Sequence, residues 1–332
     1  MFQKKIILDG KEITFETGKI ANQADGAIIV KSEETIVLVT VVADRKFKPG
    51  NDFLPLTVDY QEKMSAAGLI PGGIGKREGR PKDYEILISR LIDRSIRPLF
   101  PEHFFYETQV QAFVFSYGEG DPVILSLLGA SVALSLSDIP WNGPLGGVRV
   151  VQKDKKLSTF LSNPETANAE LDFVVSYSKS GLIMVEGEAQ EASEIEVLKA
   201  IQYAEKILQP FFVALEEMRQ AVGKPKREIP AVVEYPELLQ ALQTHGKKLL
   251  ESAFTLPVKQ ERREKVAQAS QQLKETILAE HPEWEPVFEA TLETYQYQLV
   301  RDYMLREKKR LDGRPMDQIR PISGEVGWLP RA

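Results

Sequence analysis

The chain has 332 residues, a length that suits about two domains, and its 43% apolar and 27% charged residues are ordinary for a soluble protein with real cores. Its formal net charge of −6 argues against a surface that is basic all round, because phosphate contacts need clustered cations, but leaves room for a local basic patch. With no cysteine, disulfides and thiolate chemistry are excluded, and the three histidines (His103, His245, His281) are too scattered to suggest a metal site.

The start, Met1 to Lys5, runs directly into strand-like sequence, which predicts neither signal peptide nor membrane span and a cytoplasmic location. Lys4–Leu8 and Lys11–Phe15 flank Asp9-Gly10, a hairpin signal. Ala27–Lys31 and Thr35–Val42 read as a second strand pair, and Phe53–Val58 as a further strand. Asp83–Phe100 turns to helical spacing, placing Ile88, Leu91, Ile92, Ile96 and Leu99 on one face and Arg90, Arg94 and Arg97 on the other. Thr108–Ser116 alternates like a strand. Asp121-Pro122 is a helix start, with an acid at the N-cap and proline at N1, and the apolar run to Ser137 predicts a buried helix. Leu171–Tyr177 and Leu182–Glu186 form another strand pair. Ser193 and Glu196 make a capping box for a helix that Pro210 is expected to kink or end.

Gly223 to Pro230 is charged and proline-containing, as a linker would be. From Pro236 to Lys309 strand signal almost vanishes, and three helices are expected to begin near Pro236, Pro257 and Pro282. The fold class is therefore α/β (α+β) followed by an all-α domain, with boundaries at 1–222, 223–235 (linker), 236–309 and 310–332. Glu325-Val326-Gly327 echoes Glu16-Thr17-Gly18, which suggests the opening of a second copy of the first domain. Gly73-Ile74-Gly75-Lys76 looks like part of a P-loop, but Ile70 and Arg77 stand where glycine and Ser or Thr are required.

Several longer stretches are more specific. Phe53 to Lys63, Lys76 to Pro81, Ser89 to Pro101, Gly129-Ala130-Ser131, Ile139 to Pro144, Met184 to Gln190 and Leu311 to Arg314 resemble, in order, the bacterial polynucleotide phosphorylases, also called polyribonucleotide nucleotidyltransferases. The resemblance implies a first RNase PH-like domain, a helical domain, and the start of a second RNase PH-like domain reaching about twenty residues to Ala332. It implies phosphorolytic 3′-to-5′ exoribonuclease activity in mRNA turnover, in which inorganic phosphate attacks the terminal linkage of RNA and a nucleoside diphosphate leaves. The partners so implied are single-stranded RNA, phosphate and two further copies in a homotrimeric ring, with no membrane. Mg2+ or Mn2+ belongs to the second copy, so no cofactor and no metal ligand are assigned to this chain.

In the family's active copy, a Thr-Arg-Gly-Glu-Thr segment and a serine triplet hold phosphate, while two aspartates six apart and a lysine hold the metal and assist. The matching positions here are Lys31 to Thr35, Asp121 to Val123, Thr166 with Asp172, and Val174. One carboxylate of the two survives and an acid stands where an anion should bind, so no catalytic residue is assigned and the chain alone is expected to be inactive. Asp172 is expected to be a capping or ion-paired residue instead. RNA contact is assigned to Lys76, Arg77 and Arg80, which match a basic loop at the family's channel mouth, although Ile74 and Gly75 replace the family's aromatics. Arg90, Arg94 and Arg97 rank lower, because Asp93 stands four before Arg97 in ion-pairing order. The alternative is a shortened non-catalytic RNA-binding or ring-assembly subunit, or the product of a truncated gene.

Overall fold

Asp9 and Gly10 both take positive φ (47° and 81°), which folds β1 (Phe2–Leu8) back on β2 (Lys11–Thr17) with Leu8 opposite Lys11. The structure, a computed structural model, describes residues 1–46, 53–72, 78–159, 166, 168–229 and 235–331. β3 (Gly26–Ser32), β4 (Thr35–Ala43), β5 (Leu56–Glu62) and β6 (Thr108–Ser116) complete a six-stranded sheet in the order β1-β2-β3-β4-β6-β5. Only β5 runs parallel to its neighbour. A second, antiparallel sheet has the order β10-β9-β7-β8, from β7 (Leu145–Lys153), β8 (Lys156–Thr159), β9 (Leu171–Ser178) and β10 (Gly181–Ala189).

Helix α2 (Pro122–Leu136) packs on β3, β4, β6 and β7, and every one of its residues except Val123 is buried. An all-round apolar helix can only sit at a centre, as the sequence pattern requires. Helix α1 (Asp83–Ile96) covers β5, and α3 (Glu194–Val222) lies along β7, β9 and β1.

Four local expectations shift. The strand placed at Phe53–Val58 lies at Leu56–Glu62, because Pro55 has no N–H for a ladder; its carbonyl instead accepts from Thr108 N at 2.9 Å. The first helix ends at Ile96 and a 3₁₀ turn, Arg97–Leu99, follows, since Pro98 cannot continue the α ladder. α3 runs through Pro210 without ending, held by the buried stripe Ala204, Leu208, Phe211, Leu215 and Met218 on both sides of it. Strands β7 and β8 lie in a stretch for which no element is predicted above.

The chain divides into two compact units, Met1–Pro230 and Ala231–Ala332. Residues 224–227, read above as linker, are bound to the first unit. Lys226 Nζ donates to the carbonyls of Leu134 (2.7 Å) and Ser137 (2.9 Å), and Arg227 pairs with Asp25 and Asp138 at 2.8 and 3.0 Å. Burial raises the Asp138 carboxyl, but hydrogen bonds from Arg227 and Arg45 overcome it and hold the pKa at about 2. In the second unit α4 (Pro236–Phe254), α5 (Lys259–Glu280) and α6 (Glu285–Glu307) enclose a core that includes Leu238, Leu242, Leu273, Phe288 and Leu299. Lys308 takes a left-handed φ of 53° and ends α6, after which Val326, Trp328 and Leu329 are exposed. No helix of the described residues is long and apolar enough to cross a membrane.

The central helix yields the first prediction. A Cβ added at Gly129 would lie 2.6 Å from Val39 Cγ2 and 3.0 Å from Val30 Cγ2. Replacing helical glycine by alanine normally gains about 1 kcal/mol, but overpacking a filled core costs about 1–3 kcal/mol. Gly129→Ala is expected to lower stability by up to roughly 2 kcal/mol on that balance, measured by urea unfolding; a more stable variant would show that the sheet yields.

Candidate functional site

Two places carry the residues singled out from the sequence. The first is the segment ahead of α1. Lys76 and Arg77 lie outside the described residues, and Arg80 is exposed and makes no ion pair among the described residues. Around it the backbone is pinned by acids. The Glu85 carboxylate accepts from Lys82 N (2.6 Å) and Glu62 N (2.8 Å), which fixes the start of α1 against β5. Glu78 accepts from Met64 N at 2.6 Å and pairs with Lys63 at 3.1 Å, and these two contacts hold its carboxyl below the ordinary carboxylate range. Glu62, Lys63, Glu78, Arg80, Lys82 and Glu85 are among the residues that line a cavity of about 180 Å³. The acids there are already bonded, whereas Arg80 points its charge at solvent. Lys82 is exposed too, its ammonium 5.5 Å from the centroid of the Tyr84 ring.

The arginines of α1 separate on geometry. Arg97 grips Asp93 through two bonds (2.7 and 3.0 Å) and donates to the carbonyls of Leu54 (3.0 Å) and Leu56 (3.1 Å). Arg94 pairs with Glu186 on β10. Arg90 is exposed. The ion-paired reading holds for Arg94 and Arg97.

The second place is the N-terminal end of α2. Thr35 Oγ1, at the start of β4, donates to Gly120 O (2.8 Å) and accepts from Gly118 N (2.9 Å), tying the β3–β4 hairpin to the loop before α2. Asp121 caps the helix, its Oδ1 accepting from Val123 N (2.9 Å) and Ile124 N (3.3 Å). Arg149, on β7, reaches Asp172 on β9 through two bonds of 2.7 and 2.5 Å and lies 3.7 Å from Asp121. Burial pushes the Asp121 carboxyl above its ordinary range, while Arg149 and the two amides pull it back. The hydrogen bond to Asp172 raises the Arg149 guanidinium further, so it stays charged.

The structure thus gathers two positions matched by sequence, Asp121 and Asp172, around one arginine that sequence reasoning missed, with Thr35 tied to the loop that leads into Asp121. Its signal was present: Arg149 is the lone charge in the apolar run Leu145 to Val151. Asp172 is ion-paired, as expected. Two other positions of the Lys31 to Thr35 segment are used locally, Ser32 donating to Glu12 O at 3.0 Å and Glu33 pairing with Lys11 at 2.7 Å. Thr166 closes a turn with Ala169 N at 3.0 Å.

Comparison with known proteins gives the same frame. Residues 9–140 match the 3′ exoribonuclease family, domain 1, and residues 237–315 match the RNA-binding domain of polyribonucleotide nucleotidyltransferase. The polyribonucleotide nucleotidyltransferase of Geobacter sulfurreducens is 45% identical over 331 residues, covering 97% of this chain and 46% of that protein. Those of Granulibacter bethesdensis and Heliobacterium modesticaldum are each 44% identical, covering 100% and 97% of this chain and 46% of each relative. Among solved structures, an Archaeoglobus fulgidus exosome with RNA bound to the active site aligns with a TM-score of 0.49 and 15% identity, over 65% of this chain and 89% of that one. The chain spans about half the length of the curated relatives it matches. With two family domains in sequence and similarity along nearly its whole length, the chain belongs to the polyribonucleotide nucleotidyltransferase family.

Proposed function

We propose that this chain is the non-catalytic part of a phosphorolytic 3′-to-5′ exoribonuclease, contributing structure and RNA contact while a second RNase PH-like copy performs the reaction. Similarity to polyribonucleotide nucleotidyltransferases along 97% of the chain carries this reading. In that enzyme inorganic phosphate attacks the 3′-terminal phosphodiester and a nucleoside diphosphate leaves. Mg2+ or Mn2+, held in the second copy, would neutralise charge building on the transferring phosphoryl group. Three chains in a ring and a cytoplasmic setting complete the proposal.

The first copy supports an inert role for physical reasons. A helix N-terminus is a natural anion site, because its free N–H groups and dipole both favour negative charge. At α2 those N–H groups are taken by the chain's own Asp121. The nearest cation, Arg149, is engaged by Asp172 and Asp121. A phosphate entering there would meet a bonded carboxylate and an arginine already neutralised.

RNA contact is proposed for Lys76, Arg77 and Arg80. Without aromatics in the loop, stacking worth about 1–3 kcal/mol per base is lost, and backbone attraction with little base preference remains.

Three outcomes test these points. The isolated chain is expected to release no ADP from poly(A) with phosphate and Mg2+ or Mn2+; release above a no-protein control would overturn the inert assignment. In the complete enzyme, Lys76→Ala with Arg77→Ala is expected to weaken binding of different single strands by similar factors. It should also reduce the salt slope by roughly 1.4, two contacts at about 0.7 each, and an unchanged slope in a fluorescence anisotropy titration would reduce the loop to a solvated turn. Arg149→Met is expected to cost about 2–3 kcal/mol, since it strands two carboxylates in a partly exposed site. With the cation gone, Asp121 rises further above its unfolded pKa, so its charged form opposes folding most at neutral pH. The deficit against wild type should therefore shrink as pH falls through the raised Asp121 pKa towards its unfolded value; a deficit that grows instead would mean that this carboxylate is not the cause.

A further inference from the structure

The opposite end of α2 holds an arrangement that neither the fold nor the reaction accounts for. A pocket of about 120 Å³ is lined by residues that include Ser135, Trp141, Lys179, Glu216, Arg219 and Lys226. It is smaller than the roughly 300–1,000 Å³ typical of sites for drug-sized ligands, so it suits a small ion and not a nucleoside. Three cations face one carboxylate. Glu216 pairs with Arg219 at 3.0 Å and with Lys179 at 3.7 Å, leaving an excess of positive charge at the pocket.

The donors are incompletely used. Lys226 spends two of its three N–H groups on the carbonyls of Leu134 and Ser137, which leaves one. Burial draws its ammonium down to about 8 against the opposing pull of the Asp138 carboxylate, and the like charge of Arg219 adds to the lowering. Ser135 is 6% exposed, and its hydroxyl makes no hydrogen bond among the described residues. Ser126 of the same helix, by contrast, donates back to Pro122 O at 2.7 Å. Ser135 opens onto the pocket without a protein partner for its hydroxyl, so a ligand or water can supply one. Capping of α2 explains Lys226 alone, not the convergence of Lys179, Arg219 and an unpartnered serine.

We propose that this pocket binds a phosphate-type oxyanion, which accepts from the Ser135 hydroxyl and from Lys179, Arg219 and Lys226. A tetrahedral oxyanion offers acceptors in several directions and negative charge, the complement of a lining in which three cationic donors outnumber one carboxylate. Lys226 also shields the bound anion from the negative end of the helix dipole by covering two terminal carbonyls. The pocket is distinct from the Asp121 cluster, which lies roughly 20 Å away along a 15-residue helix at 1.5 Å per residue. Inorganic phosphate and the terminal phosphate of a nucleoside diphosphate share this chemistry. A neighbouring groove of about 510 Å³ is lined by Tyr177, Phe212 and Lys179 but also by Glu205, Glu216 and Glu217, so it has room for the remainder of the latter while its acids favour the free ion.

Isothermal titration calorimetry of the 332-residue chain tests the site, with sodium phosphate in one arm, ADP in a second, and sodium chloride at matched ionic strength as reference. Binding is read and not turnover, so the outcome is independent of the reaction proposed above. Wild type is expected to bind phosphate, with Arg219→Gln weakening it about tenfold, the loss of one charge-assisted hydrogen bond, and Ser135→Ala weakening it several-fold. Because Lys226→Met also uncaps α2, the deciding variants are these two, whose unliganded melting temperatures should match wild type. Equal affinity for phosphate and ADP assigns the free ion; tighter ADP binding assigns the nucleotide's terminal phosphate. Phosphate heats no different from chloride, or affinities unchanged in both variants, overturn the proposal.

Discussion

A helix buried on all sides must satisfy its end groups without water, and in this protein α2 sets that constraint. Its N–H groups are met by Asp121 and its last carbonyls by Lys226, with Ser137 Oγ donating to Leu134 O at 2.9 Å. Both solutions import charge into the domain, and each charge then needs its own partner. At one end Arg149 and Asp172 follow from Asp121. At the other, the segment that carries Lys226 is anchored by Lys224 Nζ on Asp25 O (2.5 Å) and by Arg227 on Asp25 and Asp138, which Arg45 also reaches. Two charge clusters of the first unit thus sit at the two ends of one apolar helix.

That arrangement explains how an RNase PH-like domain can keep its fold while its helix N-terminus is closed to phosphate. An open helix N-terminus leaves donors waiting for a ligand. A capping aspartate satisfies them permanently and is worth about 1 kcal/mol. Asp121 therefore converts a potential anion site into part of the scaffold, and the Asp172–Arg149 pair balances the charge so introduced. The buried carboxylate alone would be unfavourable, as the upward pull of burial on its pKa shows. With the arginine present, the cluster is closed on itself.

Much of this was legible in the sequence because the signals were local. Asp121-Pro122, Asp9-Gly10 and the Ser193–Glu196 box each name an element boundary through short-range chemistry, and each boundary is found there. The apolar run after Pro122 predicted central burial. What escaped was non-local. Arg149 gains its meaning from Asp121 and Asp172, 28 and 23 residues away, on a strand whose glycine pair, Gly146-Gly147, hides its pattern. Pro210 was expected to disturb a helix that packing on both sides carries through. Residues 224–227 read as a linker by composition, yet lysine and arginine there cap carbonyls and pair with acids from distant parts of the chain. Composition reports charge, and only the fold reports where it is used.

The same distinction decides which cations remain for the proposed RNA contact. A net charge of −6 gives no long-range attraction to a polyanion, so contact must come from cations the fold has not consumed. Arg97, Arg149 and Arg227 each bind two or more protein acceptors and are half-buried or less exposed than a free side chain would be. Arg94 has its acid partner in Glu186. Arg80 and Lys82 remain outward, beside acids that spend themselves on the backbone of Lys82, Glu62 and Met64. Those acids hold the chain in place, and Glu78 also pairs with Lys63, while Arg80 makes no ion pair among the described residues. A loop built in this way can present cations to a phosphate backbone at a fixed position while the protein as a whole stays acidic, which favours contacts that are positional and strongly dependent on salt.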